Sequence, residues 1–166
     1  MEITFKNSIL FVAIILTGLS AGLFYAWQVS VIPGTKKLLD ATYLQSMQHI
    51  NREILNPYFF LIFFGSMLML SISTFQQYGN GLLFWLMLAA TLTYTIGTMA
   101  VTGMGNVPLN NELDALQLAK LPAPDLSEFR QYYETKWNVL HKIRTFFSVV
   151  AFLISLLTAF ASPKNF

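Results

Sequence analysis

Apolar residues gather into four long runs, from Ser8 to Trp27, Pro57 to Phe75, Leu82 to Thr102 and Phe146 to Ala161, and none of the four contains Asp, Glu, Lys, Arg or His. A helix of about 20 residues crosses the roughly 30 Å hydrocarbon layer of a bilayer. The pattern therefore predicts an all-α integral membrane four-helix bundle forming one domain over residues 1–166, with spans at 8–28, 57–75, 82–102 and 143–161. The last run is short, and Ile143 and its neighbours must lengthen it. Lys6 and "SAG" before and within the first run would also suit a cleaved signal peptide. The run continues through "LFYAW" to Trp27, however, which is long for a signal core.

The polar intervals are unequal. "QQYGNG" joins the second and third runs and reads as a tight turn between antiparallel helices. Residues 29–56 and 103–142 form two long connections, which must leave the bundle on the same side. That side carries Lys36, Lys37, Arg52, Lys120, Arg130, Lys136, Lys142 and Arg144, and the other only Lys6 and Lys164. Positive residues favour the cytoplasmic face, so the long loops are expected there, in a bacterial cytoplasmic membrane.

Within the first connection, Leu44, Met47, Ile50, Ile54 and Leu55 recur at helical spacing and predict a helix lying on the bundle. Asn56-Pro57 should end that helix and start the next, with Pro57 at the first turn. In the second connection, "GMGNVPLNNEL" reads as a stop, a turn and a new start. Gly103 and Gly105 would end the third helix, Asn106 would turn, and Asn110 or Asn111 would cap a short helix over about 110–119. "LPAP" then separates it from a helix beginning near "DLSEF", capped by Asp125 or Ser127, that runs into the fourth span. Gly18, Gly22 and Ala26 make a small-residue stripe suited to close helix packing, and Thr91, Thr95, Thr98 and Thr102 make a hydroxyl stripe.

Composition narrows the chemistry. The chain is 55% hydrophobic and only 11% charged, too little charge to cover a soluble globule. Its net charge of +2 is dispersed, so nucleic acid is not an expected partner. With no cysteine there is no disulfide, thiolate metal site or thiol redox pair. The two histidines, His49 and His141, lie outside the apolar runs, which offers no axial ligands to a haem inside the bundle. Nor does any ionisable residue mark a proton or ion path through the apolar runs. A metal site from both histidines with Glu53 or Glu112 lacks supporting spacing.

What remains is a group of amides, aromatics and one arginine near the rim. Trp137, His141 and Arg144 share a face of "KWNVLHKIRT", either as an interfacial belt with Lys142 and Arg144 reaching for phosphates or as part of a pocket. Gln48 and Asn51 share a face with Met47, whereas His49 pairs with Glu53 and points to solvent.

"GLFYAWQVSVIPG", "MQHINREILNP", "GNVPLNNEL" and "WNVLHKIRT" resemble, in order and spacing, the signatures of the anthrone oxygenase-like membrane family, over about residues 10–160. Many bacterial members are classed only as a domain of unknown function. The resemblance implies a four-helix membrane protein with two structured loops on one side. For the fungal members it implies oxidation of anthrones to anthraquinones by oxygen with no metal or organic cofactor. Pro33, Asn51, Asn56, Pro57, Pro108, Asn110, Trp137 and Arg144 match the pattern, and His141 stands where many bacterial members carry asparagine.

On that footing His141 and Arg144 are the expected catalytic residues, as base and enolate holder. Trp27, Gln48, Asn51, Asn110, Trp137 and Asn138 are expected to bind substrate, with Tyr132 and Tyr133 as further aromatic walls. Gly18, Gly22, Pro33, Asn56, Pro57 and Pro108 are expected to be structural, with no metal ligand. The expected partners are membrane lipid, a hydrophobic small molecule and, within the membrane, further copies of the chain. The alternative is a non-enzymatic membrane protein whose polar cap binds lipid, a hydrophobic ligand or a partner protein.

Overall fold

The computed structural model describes residues 4–161, which leaves Lys164 of the charge count outside the described residues. Four helices are long and apolar enough to cross a membrane: α1 (Phe5–Thr35), α3 (Pro57–Gln76), α4 (Leu82–Asp114) and α5 (Ala123–Ala161). Between α1 and α3 lies the shorter α2 (Asp40–Glu53), and a single 3-10 turn, Leu118–Lys120, precedes α5. No strand occurs among the described residues. The protein is an all-α, multi-pass membrane protein.

The spanning helices form a ring in the order α1, α3, α4, α5. Its outside is apolar: Phe11, Ile15, Leu61, Leu68, Trp85, Ile96, Phe146 and Leu157 are all exposed. Apolar exposure on every face of a bundle is what a lipid environment allows and water does not. Small hydroxyls point inward instead. Thr17, Ser66, Thr74 and Thr158 bond the carbonyl one turn back, so each is buried without an unmet donor. Tyr94 ties the ring across its centre, donating to Phe63 O at 3.1 Å while Ser20 lies 2.9 Å from its hydroxyl.

The turn between α3 and α4 is tight, and Gly79 and Gly81 there are the positive-φ residues of the described chain. Asn56 caps α3, its side chain accepting from Phe59 N at 3.0 Å with Pro57 in the first turn. Of the small-residue stripe, Gly18 meets the bundle, since a Cβ there would lie 3.0 Å from the Phe152 ring. Gly22 and Ala26 fall outside that groove: they are exposed, and a Cβ at Gly22 would meet nothing within 4 Å. Each i+4 step advances about 40° around an α-helix, so two steps carry the stripe off the contact face.

The third span departs most from the expected pattern. Gly103, Gly105 and Asn106 do not end it; α4 continues unbroken to Asp114, and Asn106 has φ −66° and ψ −39°. Its winding is π-helical over Thr93–Ala100 and again over Thr102–Asn106. A π stretch also occupies Trp27–Val31 of α1. Pro33 and Pro108 each follow two residues after such a stretch. A proline ring clashes with the carbonyl four residues back, and a widened turn before it removes that clash without breaking the helix. Asp125 and Ser127 cap nothing, because α5 already starts at Ala123.

Above the bundle, α2 packs on the first half of α5 and the end of α4. Leu44 and Met47 of its apolar stripe, with Tyr43 beside them, bury against Leu109, Leu113, Leu126, Tyr133 and Trp137, whereas Leu55 remains exposed. Each such side chain, once buried, contributes about 1.5–3 kcal/mol to holding the cap down.

Candidate functional site

The site sits where the cap core meets the bundle. α5 presents Tyr133, Trp137, His141 and Arg144 at spacings of four, four and three, and all are buried. α4 faces them with Thr98, Thr102 and Asn106, also buried. Those three residues are each four apart. A uniform α-helix would rotate them off the contact face, and the mixed α and π winding holds them in line.

Arg144 is the charge at the centre. Its guanidinium lies between two rings, 4.7 Å from the Phe24 centroid and 5.1 Å from that of Trp137. Nε and Nη2 donate to His141 Nδ1 at 3.1 and 2.9 Å, and Nη1 reaches Thr102 Oγ1 at 3.5 Å. None of the three ion pairs among the described residues involves it. The arginine is thus 8% exposed with no carboxylate opposite, and part of its five-donor fork is uncommitted. An unpaired buried charge is costly, so this arrangement favours an anion nearby.

His141 is fully buried, and its neighbours fix its proton. Nε2 lies 3.1 Å from Phe24 O, which can only accept, and Nδ1 receives the guanidinium, which can only donate. The ring is therefore neutral, with the proton on Nε2. Trp137 stacks on it at 4.9 Å and 7°.

A chain of amides and phenols continues from there into the cap. Trp137 Nε1 donates to Asn110 Oδ1 at 2.9 Å, Tyr133 OH donates to the same oxygen at 3.0 Å, and Asn51 Nδ2 donates to Tyr133 OH at 3.1 Å. The structure therefore brings Asn51, Asn110, Trp137, His141 and Arg144 into one connected network. Trp27 joins its edge, 6.1 Å from Trp137.

Gln48 belongs elsewhere. Its amide donates to Leu113 O and Leu116 O, closing the end of α4 onto α2. Asn138 lies apart, in a polar cleft beside α1. Tyr132 is exposed and donates to Glu112, and His49 is exposed. Among the described residues, no three His, Asp or Glu side chains come together as metal ligands. Burial, reinforced by Glu134, pushes the Tyr43 phenol above its ordinary range, so it stays protonated beneath Arg130.

Three residues at the site were not singled out for it from sequence. Phe24 was only one residue of an apolar run, Thr102 was read within a hydroxyl stripe, and Asn106 was read as a turn. Asn106 is instead fully buried and donates from Nδ2 to Trp137 O at 3.3 Å. Because that carbonyl only accepts, the amide cannot be flipped, and its Oδ1 is left without a partner. Such an acceptor costs about 1–3 kcal/mol. The repeat of polar residues every four positions from Tyr94 to Asn106 was the signal that could have found it.

Two clefts flank the network without being lined by it. One, of about 500 Å³, is mainly apolar and runs between α4 and α5 past Met104, Pro108, Val139 and Leu140. The other, of about 550 Å³, is polar and lies between the end of α1 and α5.

Residues 58–154 match the family model described as anthrone oxygenase, a segment that takes in α3 from its second residue, all of α4 and most of α5. The chain belongs to the anthrone oxygenase family. No match is found among curated proteins or among solved structures. The matched segment contains the half of the site on α4 and α5: Thr102, Asn106, Asn110, Tyr133, Trp137, His141 and Arg144. The other half, Trp27, Phe24 and Asn51, comes from helices before it. In this anthrone oxygenase family member, then, the charge and its histidine lie within the matched segment, and α1 and α2 close over them.

Proposed function

We propose that this membrane protein, in a bacterial cytoplasmic membrane, binds and oxidises a flat hydrophobic aromatic molecule of anthrone or quinol type at the rim of its bundle. The observation that carries this reading is the buried guanidinium of Arg144 with no carboxylate partner. An anthrone loses a proton from the carbon between its rings, and the resulting anion places charge on its carbonyl oxygen. A guanidinium held between aromatic faces, in a site shielded from water, stabilises that oxygen as an oxyanion hole does. Phe24, Trp27 and Trp137 supply flat apolar walls for the rings.

A substrate oxygen that draws the guanidinium to itself releases Nδ1 of His141. That nitrogen then accepts the proton from carbon. The carbanion adds molecular oxygen, protonation gives a hydroperoxide, and loss of one water leaves the second carbonyl. Both atoms of the oxygen molecule are accounted for, one in the quinone and one in the water. A substrate of this kind dissolves in lipid, and the apolar cleft between α4 and α5 gives it a lateral way to the rim.

A second reading has its own support. The side chains of Gln48, Asn51 and Trp137 are bonded within the protein, as they would be in a non-enzymatic cap that binds a lipid, hydrophobic ligand or partner protein. Oxygen uptake by purified protein supplied with an anthrone separates the two. The enzymatic reading expects uptake above the protein-free detergent rate and a fall of about 100-fold in Arg144→Ala, the loss typical of a removed oxyanion donor. Equal rates in wild type, Arg144→Ala, Asn110→Ala and detergent alone would leave only the binding cap.

A further inference from the structure

The polar cleft between the end of α1 and α5 is not part of the buried network, and its composition has a chemistry of its own. Arg130 lines it, with every guanidinium nitrogen bonded. It bonds Asp40 at 2.9 Å, Glu134 at 3.0 Å, and the Leu38 and Lys36 carbonyls at 2.6 and 3.0 Å. Both carboxylates of the cleft are thereby held by one arginine. Beside Ser127, Gln131 and Thr135, the cleft is faced by polar side chains that are left over: Gln28, Asn138 and the ammonium groups of Lys36 and Lys142 make no hydrogen bond or ion pair with another described residue. Three cations stand against two carboxylates, a net positive cleft. One feature asks for a donor as well as an anion, because Gln28 Oε1 is buried and unpartnered.

Its height in the bundle says what could reach it. Lys142 directly precedes Ile143, where the apolar part of α5 begins, and Lys36 directly follows Thr35 at the end of α1. Both lysines therefore stand at the level where hydrocarbon gives way to headgroups, with Ile32 and Pro33 as an apolar lower wall.

We infer that this cleft binds the headgroup of one anionic, hydroxyl-bearing phospholipid, of phosphatidylglycerol type, with Lys36, Lys142 and the Asn138 amide on the phosphate and Gln28 Oε1 accepting from the headgroup hydroxyl. The lipid seals α1 to α5 beside the buried Arg144 network. Choline headgroups lack a donor for Gln28, and free phosphate lacks both the hydroxyl and the acyl chains that bring it to this depth.

Native mass spectrometry on the full-length protein, released from nanodiscs of phosphatidylglycerol and phosphatidylcholine in equal parts, tests the assignment. The expected result is one retained phosphatidylglycerol. Lys36→Gln and Lys142→Gln should each weaken retention about fivefold, the effect of losing one lysine at an anionic surface. Lys37→Gln, outside the cleft, should leave it unchanged, and Gln28→Leu should lessen the preference over phosphatidylcholine without removing it. Thermal unfolding in detergent supplies the second readout, with phosphatidylglycerol raising the wild-type midpoint and inorganic phosphate leaving it where it is. Equal retention of both lipids by wild type, an equal loss in Lys37→Gln, or stabilisation by inorganic phosphate alone would each overturn the inference.

Discussion

Arg144 and His141 form a pair in which each limits what the other can do. The carbonyl of Phe24 fixes the imidazole proton on Nε2, and the guanidinium then occupies the only lone pair of the ring. A base role for His141 requires the arginine to turn toward a substrate oxygen, and this is testable. His141→Asn keeps an acceptor for Arg144 but removes the base, so the rate of anthrone-dependent oxygen uptake should fall about 100-fold. A fall of less than threefold would show that the histidine only positions the arginine. Asn110 makes a separate prediction, because one oxygen accepts from both Tyr133 and Trp137. Asn110→Leu strands two buried donors and should destabilise the protein by about 2–4 kcal/mol, read as a lowered unfolding midpoint in detergent.

At the scale of elements, the winding of α4 decides which side chains reach the site. From the sequence, three asparagines, two glycines and a proline after an apolar run read as punctuation, and local physics supports that. Tertiary contacts override it. Asn106 is bonded to Trp137 O, Gly105 lets Leu140 close in, and the proline clash is absorbed by a π turn. None of these partners is near in sequence, which is why the helix end was misplaced while the Asn56-Pro57 start was legible. Close packing was misjudged for a similar reason. The small-residue stripe pointed to Gly22, but the tight contact of α4 with α5 is at Gly97, where any Cβ would run into the Phe147 ring. Gly97→Ala should therefore cost about 1–3 kcal/mol by overpacking. Gly22→Ala, with open space around it, should stay within about 0.5 kcal/mol. Paired unfolding curves in one detergent would check both.

For the whole molecule, four uncharged apolar runs and their unequal connections were enough to read the membrane bundle and the cap on one end. They could not show how that cap closes. Gln48 was grouped with the ligand-facing amides, yet it fastens α2 to the carbonyls of Leu113 and Leu116, a long-range bond that spacing does not encode. Asn51 and Asn110 lie in one network, where they bond Tyr133 and Trp137 rather than face an open cavity. The site is thus a charged core beneath hydrogen-bonded amides and aromatics, with no carboxylate among the described residues paired to its arginine.

The central claim is that Arg144 stabilises the anion of a bound aromatic substrate, and a spectroscopic titration tests it directly. An anthrone changes absorbance when it ionises, so its ionisation can be followed in the protein and in protein-free micelles under anaerobic conditions. A cation beside the developing oxyanion favours the charged form. The bound anthrone should therefore ionise about one to three pH units lower in wild type than in micelles, and Arg144→Gln should abolish that shift. Identical titration curves in wild type, Arg144→Gln and empty micelles would contradict the account.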